Sequence, residues 1–230
     1  YRNVEGVLCV GIQEQDQSIR DFVSKTDVPL VLVDRQVSWE DVDSIVSDNR
    51  YGGQLVVDYL FSLGHSRIAF ATSAFTTAEK QRQEGYEMAL ENRGVRVDKD
   101  LIITQSEQAW RSGECPELVH LFRRDNRPTA VFASNDLKAI HVLRILKRFG
   151  LSVPEDVSLV GYDELETASM ISPALTTVHQ PIDKMINGGT NLLIERITAK
   201  RESVSGGAPR EQVVMKPWLV ERESTRKLRL

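Results

Sequence analysis

The sequence predicts an α/β fold in which parallel sheets are flanked by helices. Two observations carry that prediction. Short β-branched runs alternate with amphipathic stretches about 10–15 residues long, the pattern of βαβ units. Three of those stretches close on a glycine, Gly64, Gly94 and Gly150, the residue best suited to the left-handed turn that ends a helix.

Taken in order, Val7–Val10 reads as a strand, followed by a polar segment in which Ile19, Phe22 and Val23 keep helical spacing. Val31–Val33 is the next strand and ends at Asp34. Ile45-Val46 ends at Ser47-Asp48, and the helix behind it puts Leu55, Val56, Tyr59, Leu60 and Leu63 on one face. Ile68–Ala71 ends at Thr72-Ser73, before a helix through Tyr86, Ala89 and Leu90. Ala130–Ala133 ends at Ser134-Asn135-Asp136, before a helix through Ile140, Leu143 and Leu146. Val157–Val160 ends at Gly161-Tyr162-Asp163. Beyond that turn the rhythm loosens. Pro173, Pro181 and Pro217 flank Leu175–Val178 and a helix running from Pro181 to Lys200. A small-residue loop, Ser203–Pro209, leads to Val213–Met215 and Trp218–Val220, and the charged tail from Arg222 to Leu230 is expected to fray.

The chain has 230 residues, 41% hydrophobic and 27% charged, with 29 Lys and Arg against 33 Asp and Glu. That composition suits a globular protein, and the length allows one large domain or two small ones. A net charge of −4 argues against gripping nucleic acid through bulk charge. No run approaches the roughly 18 apolar residues of a membrane span, and the first residues show no secretory leader. Cys9 and Cys115 sit in no Cys-x-x-Cys and near no histidine at ligand spacing, so core filling in a reducing compartment, the cytoplasm, is the expectation.

Ligands of open parallel sheets bind beyond the carboxyl ends of the strands. Those ends carry Asp34, Asp48, Thr72, Asn135 and Asp163, each directly after an apolar run. Any one of them serves equally as a helix cap, and Asp48 and Ser134 read that way. Five at equivalent positions point to a polar-lined cleft. Motifs for catalysis are absent: there is no phosphate loop, nucleophile elbow or zinc-protease helix. His65, His120, His141 and His179 are far apart, His65 reading as a turn-fixing residue. Asp34 and Asp163 could imitate a pair of glycosidase carboxylates, but neither sits in an obviously apolar pocket that would raise its pKa. No enzyme, no metal site and no cofactor are expected.

Six collinear segments resemble the bacterial LacI/GalR family of transcriptional regulators: Leu63–Ala69, Arg82–Tyr86, Arg127–Asp136, Val153–Asp163, Leu175–Pro181 and Leu219–Ser224. The resemblance implies a two-lobed periplasmic-binding-protein-like fold with three crossovers, near Val46–Asn49, Val178–Pro181 and Met215–Leu219. Residues 1–47 plus 180–215 would form an N-terminal lobe, and residues 48–179 plus 216–224 the C-terminal lobe, with 225–230 a tail. Gly6–Val10 is similar to a strand from the middle of the first lobe, which is therefore expected to be incomplete, its DNA-binding headpiece missing.

The resemblance also implies an effector between the lobes, a homodimer, and operator DNA bound only through that headpiece. Carried over by position, Arg82 reaches the effector's oxygens, Asn135 and Asp163 stand at strand ends, and Asp34 lies at the mouth of the other lobe. Trp110 covers the ligand and Gln180 lies near the site. Phe75, in the loop after a strand, is a candidate lining ring, with apolar plugging an equal alternative. Trp110 as a loop anchor and Arg82 as a surface arginine are the plainer readings. An arginine fork and carboxylates hold vicinal hydroxyls, and an indole packs on a sugar's C–H face, so a sugar is expected. A purine-like ligand is the alternative. A transporter's solute-binding protein is the alternative function.

Overall fold

A computed structural model describes residues 4–11, 17–34, 42–74, 76–202 and 209–228. The chain forms two compact units, residues 1–48 with 181–216 and residues 49–180 with 217–230. It passes from one to the other three times, after Asp48, Gln180 and Lys216.

The first unit is built on a parallel sheet of β1 (Val7–Val10), β2 (Leu30–Val33), β3 (Asp43–Ser47) and β9 (Gln212–Met215), in that spatial order. Alternating side chains divide its apolar residues between two faces. Leu30 and Leu32 pack with Ile19, Phe22 and Val23 of α1 (Gln17–Lys25). Val33 and Ile45 pack with Met185, Ile182 and Ile186 of α8 (Ile182–Arg201). That helix lies close to the sheet because Gly189 faces it: a Cβ there would come within 2.8 Å of Val33 and 3.1 Å of Leu8. At the start of β3 the fully buried Asp43 accepts two hydrogen bonds from the Arg196 guanidinium, at 3.0 and 2.9 Å, with Arg210 at 3.2 Å and the Glu211 amide at 2.8 Å.

The second unit has a parallel sheet in the order β5 (Ile102–Thr104), β4 (Ile68–Thr72), β6 (Ala130–Ala133), β7 (Ser158–Val160). An antiparallel pair, β8 (Thr177–His179) with β10 (Trp218–Val220), stands beside β7 through the bridge of Val160 to Thr176. Ile68, Phe70, Ala130 and Phe132 point to the face covered by α2 (Asn49–Ser62) and α3 (Thr77–Glu91). Ala69, Ala71, Val131 and Ala133 point to the opposite face, covered by α4 (Glu107–Ser112), α5 (Pro116–Phe122), α6 (Asp136–Arg148) and α7 (Glu166–Met170). Helices α2 and α3 touch backbone to backbone: a Cβ on Gly53 would lie 2.2 Å from the Arg82 carbonyl, and one on Gly85 2.0 Å from that of Arg50.

The tail corrects an expectation. Far from fraying, residues 225–228 are stitched to this unit. Thr225 meets the Tyr59 hydroxyl at 2.7 Å, the Leu228 amide donates to the Leu63 carbonyl at 2.8 Å, and the Arg226 carbonyl lies 2.9 Å from His65 Nε2. His65 is buried, and its other ring nitrogen meets Thr129 at 2.9 Å. Burial holds its pKa below the ordinary value, against the pull of the Arg226 carbonyl. The ring thus ties the turn after α2 to Thr129 and to the tail.

Candidate functional site

Four of the residues singled out from sequence come together in the second unit, at the carboxyl edge of its sheet. Arg82, on α3, is buried, with 4% of its surface exposed. Its Nε donates to Asn49 Oδ1 at 2.9 Å, and its Nη1 donates to the Ser134 carbonyl at 2.7 Å and lies 3.2 Å from Asp163 Oδ1. The guanidinium rests on the Tyr162 ring, 3.6 Å from the centroid. Gly52 makes room for that ring, since a Cβ there would meet the Tyr162 hydroxyl at 2.1 Å. Asp163 also accepts from Gln180 Nε2 at 2.8 Å. The buried Gln180 Oε1 has no hydrogen-bond partner among the described residues. Such an orphaned acceptor calls for a donor.

Asp163 and Glu164, with φ of 105° and 51°, hold the left-handed conformations that side chains ordinarily avoid. Glu164 is clamped, its carboxylate 2.5 Å from His179 Nδ1 and 2.6 Å from Arg222 Nη2. Strained residues persist where surroundings over-determine them, and they cluster at ligand sites. Asn135 is the N-cap of α6, its Oδ1 accepting from the Lys138 amide at 2.8 Å. The cap is thus one residue beyond Ser134, where the sequence had placed it. Asp136 is fully buried and accepts from the Thr177 hydroxyl at 2.6 Å and the Leu165 amide at 2.8 Å. Burial raises its pKa to about 7.

One expectation changes. Trp110 is wholly buried in the core on the α4–α7 face, its Nε1 donating to the Thr72 carbonyl at 3.2 Å, so it presents no face to a ligand. It anchors its helix. Thr72 is itself fully buried, its hydroxyl accepting from the Ala74 amide at 2.9 Å. Asp34 is a residue of the first unit, ending β2 with φ 65°. Phe75 lies outside the described residues.

Sequence reasoning missed an ion network beside Arg82. Lys138, 1% exposed, places its ammonium 2.7 Å from Glu79 and 2.6 Å from Glu107. The Ser134 hydroxyl donates to Glu79 at 2.8 Å, and the Ser73 hydroxyl lies 3.0 Å from Glu79 Oε2 and 2.7 Å from Glu107. Burial works against the Glu79 charge, but Lys138 and the two hydroxyls outweigh it and hold the carboxyl down at about 2. One signal was legible: Thr76-x-x-Glu79 is a capping box, formed here in full.

An arginine, a carboxylate and amides gathered at the carboxyl edge of a parallel sheet are the arrangement with which α/β domains bind small polar molecules. Comparison with known proteins narrows the class. Residues 57–225 match the periplasmic binding protein-like domain family. The transcriptional repressor PurR of Vibrio atlanticus is 31% identical over 99% of this chain. This chain spans 66% of that relative's length. Among solved structures, the transcriptional regulator CelR in complex with cellobiose superposes with a TM-score of 0.83 at 31% identity, covering 97% of this chain and 66% of that one. A LacI family regulator from Enterococcus faecium with bound ribose gives 0.84 at 28% identity, covering 99% and 82%. The chain belongs to the periplasmic binding protein-like family, in the form found in LacI/GalR-type transcriptional regulators. These relatives favour a regulator's effector-binding domain over a transporter's binding protein. No described helix is long and apolar enough to cross a membrane.

Proposed function

We propose that this chain is the effector-binding and dimerisation core of a DNA-binding regulator, and that the effector is a sugar held in part by Arg82, Asp163, Asn135 and Gln180. The observation that carries the reading is the pair of the buried Arg82 with the partly exposed Asp163, beside the orphaned Gln180 Oε1. Arg82 uses Nε and Nη1 on protein partners and has none for Nη2 among the described residues. A donor fork, a carboxylate and an open amide oxygen together suit hydroxyls, which donate and accept. A base would need a free aromatic face. Trp110 is in the core and one face of Tyr162 is covered by Arg82, which favours the sugar.

The effector regulates by binding one conformation of the domain better than another, and operator affinity then feels the same coupling in reverse. No catalytic step is part of this reading, and the cytoplasm is its setting. A thermal-shift screen against sugars, sugar phosphates and nucleobases tests it, since a ligand at about 100 times its Kd adds roughly 2.7 kcal/mol of stability. Asp163→Asn keeps a residue that tolerates positive φ and removes the charge. It should weaken the responding sugar by about 10-fold or more. A sugar bound equally well by Asp163→Asn and Arg82→Ala refutes the site, and a response confined to nucleobases refutes the ligand class. Sedimentation at micromolar concentration checks the dimer.

A further inference from the structure

We propose a second binding site in the second unit, between the C-terminal ends of α5 and α6, for a small organic anion with a flat apolar body. The cavity has a volume of about 310 Å³, at the lower end of the range for small-molecule sites. Its floor is Leu118, Phe122, Ile145 and Leu146, all buried, and its wall includes Phe149, 48% exposed. The polar residues lining it are Arg123 and Arg127, with no carboxylate, hydroxyl, amide or imidazole side chain among them.

That lining selects by exclusion. A sugar would strip its hydroxyls of water and find too few partners, at a cost of kcal/mol for each unpaired group. A cation would meet two guanidinium groups. An apolar body with one anionic group satisfies both the floor and the rim. Arg123 forms no ion pair among the described residues and lies with its guanidinium 5.7 Å from the Phe149 ring centre. Arg127 has only a long contact, 3.7 Å, to the half-exposed Asp156. Lys147 and Arg148, in the last turn of α6, add positive charge at the same end. Basic residues at helix ends also offset the helix dipole, and the test separates that role from anion binding.

This site is distinct from the one at Arg82. The strands are parallel and α6 runs from Asn135, at the carboxyl edge, back to Phe149. The two sites therefore lie at opposite ends of one helix, and this proposal does not depend on the identity of the effector.

The experiment is titration calorimetry of the intact chain with 2-naphthoate and with its uncharged counterpart, 2-naphthylmethanol. One-to-one binding of the carboxylate is expected, about fivefold tighter than the alcohol and weakened by salt, the worth of one exposed charged contact. Arg123→Gln, at an exposed position, should remove that preference and leave alcohol binding unchanged. Val119→Trp, on the lining, should block both. Three results overturn the proposal: no saturable binding up to about 10 mM, where the affinity is negligible, equal affinity for acid and alcohol, or an acid preference that survives Arg123→Gln. If Val119→Trp fails to fold, the Arg123→Gln comparison decides alone.

Discussion

Replacing Lys138 with methionine isolates the ion network that stands behind the candidate site. The side chains are similar in length, so packing changes little and the ammonium is lost. In the native chain Glu79 is held at about 2 against an ordinary 4.5. At roughly 1.4 kcal/mol per pKa unit, that shift corresponds to about 3 kcal/mol of stability at neutral pH. Without Lys138, burial of Glu79 is opposed by neutral donors, the two serine hydroxyls and the Thr76 amide, and its carboxyl rises. Breaking a buried pair from one side costs about 3–5 kcal/mol, and the variant should lose that much at pH 7.5.

The sign with pH is the sharper test. A depressed carboxylate contributes stability above its unfolded pKa and loses it as pH falls from about 4.5 towards 2. The native chain therefore weakens in that window. In Lys138→Met the raised Glu79 takes up a proton sooner and sheds its penalty. The difference between the two should be about 1–3 kcal/mol smaller at pH 4 than at pH 7.5. Urea unfolding followed by circular dichroism measures both values. Equal differences at the two pH values would show that the lysine acts through its aliphatic stem and that the charge argument is wrong.

In the first unit, Arg196→Ala leaves the fully buried Asp43 with only Arg210 and the Glu211 amide and should cost about 2–4 kcal/mol in denaturant unfolding; a loss under 1 kcal/mol, about the worth of an exposed pair, contradicts the assignment. Asp136, raised to about 7 by burial, binds more protons folded than unfolded between pH 4 and 7. Its contribution therefore falls as pH rises through that window, by about 4 kcal/mol at most, and Asp136→Asn should abolish that part of the slope. Carboxyl NMR should find it titrating near 7. Gly52→Ala puts a methyl where the Tyr162 hydroxyl lies, which should cost about 1–3 kcal/mol. It should also weaken the responding sugar, because Tyr162 supports Arg82; unchanged sugar affinity in a destabilised variant would separate the ring from the site.

Much of the fold could be read from the sequence because its strands are buried on both faces and end in polar residues. Val31–Val33, Ile68–Ala71 and Ala130–Ala133 announce themselves as apolar blocks. The stretch between Gly94 and Ala130 gave no such signal. It holds β5, three residues at the sheet edge, α4 of six residues and α5 of seven, too short for two turns of amphipathic repeat to show. At the site, Asn135 and Asp163 were legible from their places at strand ends, whereas Arg82 and Gln180 came from family motifs alone and composition would have left them as surface polar residues. Trp110 misled because an indole's apolar body suits a core as well as a ligand. The core cluster it joins, which decides the matter, includes Ala71, Val131 and Val142, all distant in sequence. Lys138 and Glu79 escaped for the same reason: each looks like a solvated helix residue until tertiary packing brings them together.

Ser134 shows why that network matters to binding. Its hydroxyl donates to Glu79 and its carbonyl accepts from Arg82, while Glu79 and Arg82 lie three residues apart, on one face of α3. One residue is thus held by the ion network through one oxygen and positions the ligand arginine through the other. A guanidinium fixed at Nε and Nη1 before any ligand arrives loses little freedom on binding, and affinity gains by what need not then be ordered. On this argument the Lys138→Met variant should bind the sugar more weakly although Lys138 has no bond to Arg82. Removing the Ser134 hydroxyl, as Ser134→Ala, should reproduce part of that loss without removing the ammonium. If Ser134→Ala binds as well as the native chain while Lys138→Met does not, the lysine reaches the site by another path, through the amide at the cap of Asn135.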